Sequence, residues 1–67
     1  MNSKQILDLI LEATPSDEWV MANVIADKTG LTTKAVGSMI GYNLLPYIER
    51  KRHTDKSNRI FLYKRIN

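Results

Sequence analysis

A chain of 67 residues has room for one small domain, and its lack of cysteine excludes disulfide bridges and thiolate-held metal. No apolar run approaches bilayer-spanning length, and the opening Met1–Gln5 has neither the basic nor the apolar region of a secretory leader, so a soluble cytoplasmic domain is expected. The net charge of +3 is unevenly placed: residues 1–33 carry two lysines against five carboxylates (−3), and residues 34–67 carry eight Lys or Arg against two (+6).

The first expected element is a helix over 3–14. Ser3 is a suitable N-cap, and Ile6, Leu7, Leu9, Ile10, Leu11 and Ala13 form a broad apolar side. Lys4, Asp8 and Glu12 recur every four residues on the wet side. Thr14-Pro15 ends the helix, because the residue before proline avoids helical geometry. A short strand over 19–21 follows, then a helix over 22–29 with Val24, Ile25 and Ala26 inward. Gly30 stands where a left-handed residue is wanted. Thr32 offers the cap of a third helix, 32–44, whose inner side is Val36, Met39, Ile40 and Leu44. Pro46 closes it. The apolar period then changes, and residues 47–66 read as a hairpin with strands 47–53 and 59–65 around the polar turn Thr54–Asn58.

Residues 22–41 fit a helix-turn-helix. Two helices crossing over a tight turn need a small residue at their approach, a glycine at the turn and apolar residues inward. Ala26, Gly30 and the set Ile25, Leu31, Val36 and Met39 meet those needs. With a helix and short strand before it and a basic hairpin after it, almost the whole chain resembles the winged helix-turn-helix family. That resemblance implies an α+β fold of three helices, a short strand and a C-terminal β-hairpin wing. It also implies a recognition helix, 32–44, in the major groove of double-stranded DNA, with the wing on the neighbouring backbone or minor groove.

On the outward side of that helix stand Lys34, Ser38, Gly41, Tyr42 and Leu45, with Thr33 at its leading end. Lys34 can donate to guanine or phosphate, Ser38 can bond either way, and Tyr42 can reach phosphate. In the wing, Arg50, Lys51, Arg52 and His53 place polar and basic groups on both strand faces, and Lys56, Arg59, Lys64 and Arg65 extend the patch. The same residues also suit an edge strand guarded against aggregation. Gly37 and Gly41 are poor helix formers, which leaves two readings: close approach to DNA, or a neighbouring side chain packed on the helix.

One histidine without cysteine gives no support for a metal site, and His53 reads as a solvated wing residue. Asp17-Glu18 falls in a turn and reads as capping or solubility charge. Trp19, Phe61 and Tyr63 read as sheet packing. No nucleophile–base pair or phosphate loop is present in the sequence, so the expectation is a small transcriptional regulator and not an enzyme, with no cofactor, no small-molecule ligand and no membrane partner. The alternative is a winged helix that docks on a protein, a second copy included, through Tyr42, Leu45 and acidic helix 3–14; a single basic residue on helix 32–44 favours that alternative.

Overall fold

The computed structural model describes residues 2–53 and 57–66, with the side chains of Ser57, Asn58 and Arg59 excepted. The order is α1 (Ser3–Ala13), β1 (Val20–Met21), α2 (Ala22–Thr29), α3 (Thr33–Met39, continued by a π-helical turn Ile40–Leu44), β2 (Ile48–His53) and β3 (Ser57–Arg65). Three helices and a three-stranded antiparallel sheet, ordered β1-β3-β2, give an α+β fold with winged-helix-like architecture.

The cap of α1 is Asn2, not Ser3. The Gln5 amide donates to Asn2 Oδ1 at 2.9 Å and the Asn2 amide donates to Gln5 Oε1 at 3.0 Å. The reciprocal pair wins because Gln5 lies three residues beyond Asn2, the spacing of a capping box. At the other end the helix stops at Ala13, one residue before the expected limit, and Thr14 is extended with ψ 115° ahead of Pro15. Thr14 is fully buried, and its hydroxyl donates to the Ile10 carbonyl at 2.7 Å, so burial leaves that hydroxyl satisfied.

The turn between α2 and α3 follows the expected chemistry. Ala26 is buried where the helices meet, and Gly30 has φ +77°. Thr32 caps α3 by accepting the Ala35 amide at 3.1 Å. Val36, Ile40 and Leu44 are all buried, although a regular helix rotates each successive i+4 position away from the last. The π-helical turn resolves this. Its i→i+5 bonding holds more residues per turn and brings Leu44 back into line with Ile40.

In the sheet, β3 lies centrally. Val20 opposes Tyr63 and Met21 opposes Leu62 on one side; on the other, Ile48 opposes Arg65, Arg50 opposes Tyr63 and Arg52 opposes Phe61. Opposed residues share a face. The inner face therefore holds Val20, Ile48, Tyr63, Phe61, Arg50 and Arg52, and the core gathers Ile10, Ile25, Val36, Ile40, Leu44, Ile48 and Tyr63 between this face and the helices. Strand β3 begins at Ser57, so Ser57 and Asn58 belong to the strand and not to the expected turn. The rest of that turn, Thr54–Lys56, lies outside the described residues. No helix among the described residues is long and apolar enough to cross a membrane.

Candidate nucleic-acid interface

Between the outward side of α3 and the inner face of the sheet runs an open groove of about 470 Å³. Thr33, Lys34, Gly37, Ser38, Gly41 and Tyr42 line it from the helix, and Arg50, Phe61 and Tyr63 line it from the strands. All four polar candidates of the helix, Thr33, Lys34, Ser38 and Tyr42, thus come to one surface. Tyr42 is 87% exposed. Its outward position comes from the same π-helical turn that turns Leu44 inward.

The four expected basic or polar residues of β2 separate by parity. Ile48 is fully buried, which fixes Arg50 and Arg52 on the same, inner face. The Arg50 guanidinium lies over the Phe61 ring, 4.6 Å from its centroid. Lys51 takes the other face, with its ammonium 4.3 Å from the centroid of Trp19. His53 is half-buried beyond a register shift after Arg52. Lys56 lies outside the described residues, as does the side chain of Arg59.

Lys64 and Arg65 do not extend the patch beside α3. Lys64 sits on the outer face, 5.1 Å from the Trp19 centroid and 4.0 Å from Glu49 Oε2. Arg65 turns toward α1, where Nη1 donates to the Leu11 carbonyl at 3.0 Å and Nε is buried without a partner. Trp19 is a packing residue as expected, but of the outer face, where it supports two lysine stems.

The two glycines of α3 face side chains of the sheet. A Cβ on Gly37 would stand 3.8 Å from the Tyr63 hydroxyl, and one on Gly41 would stand 3.5 Å from Arg50 Nη1. Packing of neighbouring side chains on the helix is therefore what these positions show. Tyr63 itself is buried, and that burial raises its phenol above the ordinary value, partly offset by the Arg50 charge. Sequence parity could have located Arg50 and Arg52, since apolar Ile48 announces the inner face. Nothing in the local sequence announces the seat of Arg50 on Gly41.

Electrostatically the groove is basic. Among the described residues the sole ion pair is Lys64–Glu49 on the far face, so no carboxylate pairs with Lys34, Arg50 or Arg52. The acidic residues Asp8, Glu12, Asp17, Glu18 and Asp27 are exposed on α1, the following loop and α2. Among the described residues no cluster of three or more metal-ligating side chains occurs. The chain matches no protein-family model, no curated protein and no solved structure, so the winged-helix-like architecture stands on its own elements and topology.

Proposed function

We propose that this domain is a binding module for double-stranded DNA, acting as a small transcriptional regulator and not as an enzyme. The observation that carries the reading is the convergence of Lys34, Arg50, Thr33, Ser38 and Tyr42 on one groove without a carboxylate partner among the described residues. Helix α3 enters the major groove, a space that admits one helix, and Arg52 reaches a flanking phosphate from the same sheet face. The acidic residues of α1 and α2 point a like charge away from the duplex.

Fluorescence anisotropy with random-sequence duplex DNA at several salt concentrations tests this. Each phosphate neutralised contributes about −0.9 to the slope of log K against log salt, so three or more contacts give roughly −3 or steeper. Absence of binding at low salt overturns the reading.

A second reading has one observation in its favour. Leu45, Tyr47 and Ile66 are exposed apolar residues, and the Ile66 amide donates to the Tyr47 carbonyl at 2.9 Å, which brings two of them side by side. Such residues suit docking on a protein, a second copy included. Failure of DNA binding would direct the search there.

A further inference from the structure

We infer that Arg50, a residue of the wing strand, reads a base: its guanidinium binds the major-groove edge of one guanine beside α3, in the place of a side chain the helix lacks. The inference rests on the DNA-binding reading above and adds to it a residue that determines specificity.

Helix α3 is sparingly equipped for base recognition. Its groove side offers one cation, Lys34, then Ser38, with glycine at positions 37 and 41. The glycine at 41 is filled from outside. Arg50 Nη1 lies 3.5 Å from the point where a Cβ of residue 41 would be, an ordinary van der Waals separation. The guanidinium is thus laid on the helix surface as though it were a side chain of residue 41, in the same groove as Lys34 and Ser38.

Two features suit this group to reading a base edge. The Phe61 ring, 4.6 Å away, supports the guanidinium and limits its rotamers before any ligand arrives. Arginine's planar fork of donors also matches the paired acceptors O6 and N7 of guanine, which a lysine ammonium cannot engage in the same way. No carboxylate among the described residues pairs with that fork. Arg52 differs. It lies on the same face but two residues nearer the wing tip, beyond the groove lining, and it is left with the role of a phosphate contact.

The test begins with wild-type protein selecting its preferred duplex from a randomised pool. Affinities of wild type, Arg50→Ala, Arg50→Lys, Phe61→Leu and Arg52→Ala are then measured on that duplex and on all single-base replacements. Wild type is expected to prefer guanine at one position by about tenfold or more. Arg50→Ala and Arg50→Lys are expected to bind all four bases there within about twofold of one another, with preferences elsewhere retained. Phe61→Leu is expected to weaken the same preference partly, and Arg52→Ala to lower affinity evenly across sequences. Thermal melts check that each variant folds; Arg50 is exposed, and the lysine variant keeps its charge and stem.

Retention of the guanine preference by Arg50→Ala, with an even loss on every duplex, would make Arg50 a phosphate contact and overturn the inference alone. A wild-type protein that binds no duplex would overturn the DNA-binding reading together with it.

Discussion

Arg65 Nη1 donates to the carbonyl of Leu11 at 3.0 Å, and the Arg65 amide donates to the carbonyl of Pro15 at 2.8 Å. These two bonds tie the end of β3 to the end of α1. The cation also lies at a helix C-terminus, where the backbone dipole favours positive charge. Arg65→Ala removes a charge-assisted bond and is expected to destabilise the fold by about 1–3 kcal/mol, with relief of the partnerless Nε holding the loss toward the lower figure. For a domain this small, thermal melting should record roughly 4–8 °C per kcal/mol. Affinity for duplex DNA, measured well below the melting temperature, should be unchanged.

The two ends of the chain's first turn give a sharp comparison. Asn2→Ala breaks both bonds of the capping box and should cost about 0.5–2 kcal/mol. Ser3→Ala, one residue on, removes no capping bond and should melt close to wild type. Equal losses in the two variants would show that Asn2 is not the cap in solution.

Gly30 is the one described residue with positive φ, at +77°, and nothing stands within 4 Å of a Cβ built there. Gly30→Ala therefore meets no clash and suffers only the left-handed backbone. The expected destabilisation is about 1 kcal/mol, read from denaturant midpoints. A variant as stable as wild type would mean that the turn relaxes.

Tyr63 sets an alkaline limit. Burial raises its phenol above the ordinary value of 10.0, so the folded protein holds the proton after the unfolded chain has released it. The unfolded state then binds fewer protons, and stability falls as pH rises. The contribution is fully present below pH 10 and is lost as pH climbs from there through the raised value. Melting temperatures taken between about pH 9 and 11 should drop for wild type and fall less steeply for Tyr63→Phe.

Arg52 and Lys51 are adjacent in sequence and opposite in the sheet. On the proposed interface, Arg52→Ala should reduce the salt slope of DNA binding by about 1, while Lys51→Ala should leave it nearly unchanged. The reverse result would place the duplex on the Trp19 face. Anisotropy titrations of the two variants at matched salt decide this.

Much of this architecture was legible because it depends on neighbours in sequence. The apolar spacing of Val36, Ile40 and Leu44, the small Ala26, the turn at Gly30 and the cap at Thr32 each act within a few residues. The inward parity of Arg50 and Arg52 follows from Ile48 in the same way. What was not legible depends on residues far apart. The cap of α1 had two sound candidates, Asn2 and Ser3, and only the partner at Gln5 separates them. Arg65 reads as wing charge until α1 is folded against β3. The same holds for Gly41 and Arg50, whose meeting requires the sheet to be docked on the helix. No sequence period marks the π-helical turn, since Ile40–Leu44 satisfies an α-helical pattern equally well.

That turn has a consequence for the length of the chain. Wider turns accommodate an additional residue without displacing what precedes or follows. Between the buried anchors Ile40 and Ile48 the backbone thus carries slack within the helix itself, at Gly41–Asn43, and not in a connecting loop. Deleting one residue there could be absorbed by rewinding to a regular helix, but the side chains after the deletion would rotate about the axis by roughly one α-helical step of 100°. The domain would keep its fold and present a different set of groups in place of Tyr42. Single-residue insertions and deletions at this site are therefore a route by which the surface chemistry of the helix can change in discrete steps while the core below it stays in register.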